Sequence, residues 1–255
     1  MDWFIGPPDF VGVGAQRSGT TWWHRLLCDH PGVQVASEKE FHFFDGYFGR
    51  EFLGSDAQAY HRLFPRPRDS LTGEWCPRYM HDFWTPALLS RAAPRAKILV
   101  LLRDPLGRYQ SGLSREVDVL RRSVRGGDRP YVDVMCARDA LSRSLYGRQL
   151  ERLLEHFDRR QVLVLQLEAC IVDPAAQLRR TYEFLGIDPV AHVPGFLTEH
   201  RGRSHPQIRL PGAVVAAATD MILHDAAKLK ALVPEIDLEL WPSCRELATE
   251  SRLVA

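Results

Sequence analysis

Nowhere in its 255 residues does the chain hold an apolar run approaching the roughly 20 residues that cross a bilayer. The first ten residues, MDWFIGPPDF, lack the basic start and apolar centre of a signal peptide. Net charge is almost absent, at +1 from 33 Lys and Arg against 32 Asp and Glu. That balance excludes a general nucleic-acid or membrane-surface binder, so any anion site must come from locally clustered arginines. Cysteine is sparse: five residues, widely spaced, with no pair at metal-ligand spacing. No metal is expected, and reduced thiols in a cytoplasmic setting are. Internal repeats and low-complexity tracts are missing as well.

What is present is an alternation of two patterns. FVGVG (10–14), KILVLL (97–102) and QVLVLQ (161–166) are short, nearly all-apolar runs, as strands covered on both faces would be. Shorter runs near 33–36 and 71–75 read as two more strands. Helical periodicity falls at 20–30, 57–64, 83–92, 106–121, 136–157, 174–185 and 212–232. The expectation is an α/β fold over 1–255: one domain, a mostly parallel central sheet flanked by helices, and a phosphate-binding loop of P-loop type after the first strand. Segments 113–140 and 195–212 are expected to shape the substrate side or act as lids.

The first motif is AQRSGTT (15–21), set between the strand FVGVG and a helix. Turn amides followed by a helix N-terminus make an anion cradle. Ser18, Thr20 and Thr21 add hydroxyls, Gly19 permits close backbone approach, and Arg17 is the cation. A triphosphate loop, G-x-x-x-x-G-K-S/T, would place lysine directly after the second glycine; Thr20 stands there instead. The bland alternative is a simple strand-to-helix turn.

The second motif is RDPLGRYQS (103–111) at the end of KILVLL. Pro105 suits a helix start. Arg103 falls at the C-terminal end of a strand, where doubly wound folds bind ligands, and Ser111 lies about two turns into the helix. An arginine fork and a hydroxyl converging there suit a second phosphate; a sheet-capping ion pair with Asp104 is the alternative.

Together RSGTT and RDPLGRYQS resemble the two signature segments of the sulfotransferases that use 3′-phosphoadenosine 5′-phosphosulfate (PAPS). KEFHFFD (39–45), HRGRSHPQI (200–208) and the stretch 161–188 resemble the heparan sulfate branch of that superfamily. The resemblance implies PAPS as sulfuryl donor, 3′-phosphoadenosine 5′-phosphate (PAP) as product, and no metal requirement. It puts the 5′-phosphosulfate on the first loop, with Arg17 as its cation, and the 3′-phosphate on Arg103 and Ser111. It makes Glu40 the general base, with His42 orienting the acceptor or serving as base itself, and Glu38 in reserve. It adds Arg201, Gly202, Arg203, Ser204 and His205 as donor contacts; Phe196, just upstream, is an adenine stacking candidate, with a buried core phenylalanine as the alternative.

One departure bears on the acceptor. The heparan-type branch reads E-K-S/T-P where this chain has EWCP (74–77), so Trp75 replaces a lysine. Trp75 and Arg78 are the expected acceptor contacts, with a core tryptophan at a strand end as the alternative for Trp75, and a small-molecule hydroxyl is the expected acceptor. A glycan or a protein tyrosine is the other acceptor class, and a P-loop kinase or NTPase the other activity.

Overall fold

The computed structural model describes residues 2–123, 137–189, 193–199 and 212–245. Its frame is a five-stranded, all-parallel sheet built from β2 (Phe10–Gly14), β3 (Val33–Val35), β5 (Leu71–Trp75), β6 (Lys97–Leu102) and β7 (Val162–Gln166). The strand order is β3-β5-β2-β6-β7. A two-stranded antiparallel ribbon of β1 (Trp3–Ile5) and β4 (Pro65–Pro67) stands apart from it. The sequence pattern did not show that ribbon, because three-residue strands carry no periodicity.

The apolar runs divide by parity, as strands buried on both faces must. Val11, Val13, Ile98, Val100, Leu102, Val162 and Val164 join one core cluster. Phe10, Leu99, Leu101, Leu163 and Leu165 join the other. Helices α2 (Gly54–His61), α3 (Thr85–Ala92), α6 (Tyr146–Leu154) and α9 (Gly212–Leu232) supply residues to the first face. Helices α1 (Thr20–Cys28) and α8 (Pro174–Leu185) cover the second.

The helix expected over 136–157 is two helices, α5 (137–142) and α6, parted by a turn. Ser142 Oγ and Ser144 Oγ donate back to the carbonyls of Asp139 and Ala140, a bond that competes with helix continuation. The amides of Gly147 and Arg148 at the start of α6 donate instead to the Asp225 carboxylate on α9, at 2.6 and 3.1 Å. A helix thus begins where a distant carboxylate caps it, which no local pattern reveals. A short helix α7 (Leu167–Val172) between β7 and α8 also went unseen.

The topology places the site. From β2 the chain crosses to β3 on one side, and β6 is followed by β7 on the other. The C-terminal ends of β2 and β6 therefore lie side by side at the switch point of the sheet. There the Ala15 amide donates to the Leu101 carbonyl at 2.8 Å.

Candidate active site

The loop after β2 turns through two left-handed residues, Arg17 at φ 69° and Gly19 at φ 83°, before α1 begins. The amides of Trp22 and Trp23 donate to the Gly19 carbonyl at 3.0 and 3.2 Å. The amides before them have no acceptor within the helix, and they point toward the loop. Ser18 and Thr20 are buried beneath this turn, and Thr21 is exposed. The buried Tyr146 hydroxyl lies close to the Ser18 hydroxyl and to the Arg103 main chain, yet neither hydroxyl closes a well-formed hydrogen bond. Orphaned hydroxyls under a glycine turn fit a loop built to receive an anion.

The two motifs touch. Arg17 Nε donates to Ser111 Oγ at 3.1 Å, across 94 residues of sequence. Ser111 rides on α4 (Pro105–Ser123), which starts directly after Arg103 and Asp104. Asp104 holds that junction. Its Oδ1 accepts the Gly107 amide at 2.7 Å, and its Oδ2 accepts the amide and hydroxyl of Ser243 at 2.9 and 2.8 Å. Both carboxylate oxygens are thereby engaged in capping and docking. Arg108 does not pair with Asp104. It is fully buried, donates to Ala140 O and Ser144 Oγ, and burial lowers its pKa to about 10.

The segment after β3 brings the carboxylate. Lys39 Nζ lies 3.5 Å from Thr20 Oγ1 and pairs with Glu40 Oε1. Glu40 Oε2 faces His42 Nε2 at 3.5 Å, and His42 Nδ1 faces Asp45 Oδ2 at 3.1 Å. Arg78 closes the row, 3.5 Å from Asp45 and 3.2 Å from Asp82. Glu40 and His42 are neighbours, with His42 left-handed, φ 52°, at the start of a 3-10 turn. Glu38 is exposed.

Two residues of this site escaped the sequence reading. Lys39 places a cation beside both the loop and Glu40. Glu74, at the end of β5, is buried and holds the Glu40 segment from below. Its Oε2 accepts the Phe41 amide at 3.0 Å, and its Oε1 accepts from Tyr60 and Tyr79 at 2.7 and 3.1 Å. The Tyr79 hydroxyl in turn accepts the Phe43 amide at 3.1 Å. Burial pushes the Glu74 carboxyl up to about 7, against the pull of these donors. A glutamate inside the apolar-flanked run LTGEW was the signal available.

Trp75 takes the core place at a strand end rather than the acceptor contact. It is fully buried, donates its indole N–H to the Gly14 carbonyl at 3.2 Å, and packs over Gly12, where a Cβ would come within 2.1 Å of the ring. The large apolar ring fills the sheet face under the loop, so it supports the loop rather than lining an acceptor pocket. Phe196 carries the Arg25 guanidinium 4.6 Å over its ring, which covers one of its stacking faces. Arg201, Gly202, Arg203, Ser204 and His205 lie outside the described residues. So does most of 195–212, and part of 113–140.

The described residues thus form a parallel α/β sheet with a glycine turn at its switch point, next to a carboxylate–histidine pair. The family model of the sulfotransferase domain matches residues 7–199. The chain belongs to that family, within the PAPS-dependent sulfotransferase superfamily. It is 28% identical over 229 residues to heparan sulfate glucosamine 3-O-sulfotransferase 3B1 of Homo sapiens, a match covering 79% of this chain and 57% of that protein. The Mus musculus 3B1 protein is 30% identical over 186 residues, covering 71% and 46%. The chain thus spans about half the length of these curated relatives. The crystal structure of a sulfotransferase from Alicyclobacillus acidocaldarius has a TM-score of 0.72 and 26% identity, covering 92% of this chain and 99% of that one.

Proposed function

We propose that the chain is an enzyme that moves the sulfuryl group of PAPS to a hydroxyl acceptor, with Glu40 as general base. One observation carries the reading: Thr20 of the anion loop, Lys39 and Glu40 form a single row of contacts. A base therefore stands one side chain away from the loop expected to hold the transferring group.

In this reading Glu40 Oε2 takes the acceptor's proton as the acceptor oxygen bonds to sulfur. The bond from sulfur to the phosphate oxygen breaks, and its electron pair stays on the 5′-phosphate of PAP. Arg17 and Lys39 are the fixed cations where that charge grows, the usual large electrostatic contribution in such sites. Arg103 and Ser111 are assigned the 3′-phosphate, and Arg201, Gly202, Arg203, Ser204 and His205 further donor contacts. His42, held by Asp45, orients the acceptor hydroxyl.

The test begins with calorimetry. PAP is expected to bind in the micromolar range, about −8 kcal/mol, and ATP with magnesium is not. Arg103→Ala should abolish PAP binding. Binding of ATP with magnesium in place of PAP would overturn the reading in favour of a kinase or NTPase. Labelled PAPS offered with a panel of phenols, alcohols and heparan oligosaccharides then reports transfer.

For the acceptor we favour a small-molecule hydroxyl, supported by the near-neutral charge of +1. A glycan is the second reading. It is supported by similarity to the heparan sulfate glucosamine 3-O-sulfotransferases and by Lys39 and Arg78 on either side of the Glu40–His42 pair. We also propose a cytoplasmic location, supported by Cys28, Cys76, Cys170 and Cys244 all being free thiols. Among the described residues no helix is long and apolar enough to cross a membrane.

A further inference from the structure

The Glu40–His42 pair has a third neighbour that sulfuryl transfer does not use. Cys76 follows β5, is fully buried, and sets its Sγ 3.6 Å from His42 Nδ1. One ligand atom from each of Glu40, His42 and Cys76 lies within 4.8 Å of the other two. Bonds of about 2.0–2.3 Å from one tetrahedral ion put its ligand atoms roughly 3.3–3.8 Å apart, so small side-chain rotations close the set. We propose that Glu40, His42 and Cys76 form a binding site for a borderline-soft divalent cation of the zinc type, and that its occupation switches off transfer. The inhibitory half rests on Glu40 being the base; the binding half stands without it.

The chemistry of the donors selects the ion. One thiolate, one imidazole and one carboxylate suit zinc or cobalt and disfavour magnesium and calcium. The His42 ring faces a carboxylate at each nitrogen, Glu40 at Nε2 and Asp45 at Nδ1. With the ion at Nε2, on the Glu40 side, Nδ1 keeps Asp45 as its oxygen partner, the arrangement that orients metal-bound histidines. Glu40 and His42 are 35% and 44% exposed, which gives the ion a path in and leaves its fourth position open to water. Lys39 and Arg78 are nearby opposing charges; Lys39 pairs with Glu40 Oε1, leaving Oε2 on the His42 side, and Arg78 pairs with Asp45 and Asp82. On binding, the Cys76 proton goes to solvent and the Glu40 oxygen that would accept the acceptor's proton is bound to the ion.

The test uses the full chain, stripped with EDTA and titrated with Co²⁺. A thiolate-to-cobalt charge-transfer band should grow to one equivalent and vanish when Zn²⁺ displaces the cobalt. Cys76→Ser, which restores the hydroxyl of the family's E-K-S/T-P pattern, should fold and give no band. Asp45→Asn should weaken zinc about 10–100-fold. Absence of the band, or the same band in Cys76→Ser, overturns the site. In the labelled-PAPS assay one equivalent of zinc should stop wild-type transfer, EDTA should restore it, and Cys76→Ser should keep working in the same zinc. Cobalt bound through Cys76 with transfer undiminished would uphold the site and overturn both its inhibitory role and Glu40 as the base.

Discussion

At Glu40 two demands meet on one carboxylate: Oε1 answers the Lys39 ammonium, and Oε2 is turned to His42. Glu40→Gln keeps the shape and removes the proton acceptor. Its kcat should fall roughly a hundred- to ten-thousand-fold with PAP affinity nearly unchanged, as calorimetry and initial rates would show. A fully active variant would remove Glu40 from the base role. Glu74 holds the same segment from the core, through the Phe41 amide. Glu74→Ala leaves that amide and two tyrosine hydroxyls without an acceptor in the core, an expected loss of about 1–3 kcal/mol in denaturant unfolding. A lower kcat with PAP affinity retained would separate the positioning role from general damage.

At the scale of elements, the loop depends on how closely β2 and β5 approach. Gly12 and Trp75 pair across the two strands, and the Trp75 ring fills the space a side chain at position 12 would need. Gly12→Ala forces that ring, and with it the Gly14 carbonyl it bonds, out of place. We expect at least the 1–3 kcal/mol typical of overpacking, read from the urea midpoint, together with weaker PAP binding. Helix α1 carries a second liability. His24 is buried beside Cys28, and desolvation, aided by the Lys39 charge, lowers its pKa from 6.5 to about 4. A depressed folded-state pKa means the stabilisation is complete above about 6.5 and is lost as pH falls toward 4. Wild type should therefore lose up to about 3 kcal/mol relative to His24→Gln across that window, measured by urea unfolding at each pH. Parallel pH profiles for the two proteins would refute it.

Across the whole molecule, the site is assembled from three neighbouring strands, β5, β2 and β6, whose ends deliver Glu74, the Arg17 loop and Arg103 to one edge. A ligand gripping both the loop and Arg103 ties these strands to α4 and, through Asp104, to Ser243 near the last described residues. PAP at about 100 times its dissociation constant should then add about 2.7 kcal/mol to global stability, seen as a raised melting temperature that Arg103→Ala abolishes.

The strands with both faces buried, the glycine turn at 15–21 and the closeness of Glu40 and His42 were legible in the chain because each is written within about ten consecutive residues; Ser111, grouped there with Arg103, accepts a hydrogen bond from Arg17. Apolar runs, glycine turns and strand-end arginines have local causes, and the family pattern is made of such local pieces. The break between α5 and α6, the burial of Trp75, and the places of Lys39, Glu74 and Cys76 were decided only in three dimensions. Each depends on a partner far away in sequence: Asp225 for Gly147, Gly14 for Trp75, Thr20 for Lys39, Phe41 for Glu74 and His42 for Cys76. A buried carboxylate and a solvated one look identical as letters; only the fold sets the surrounding dielectric and hydrogen-bond donors, and these decide what each can do.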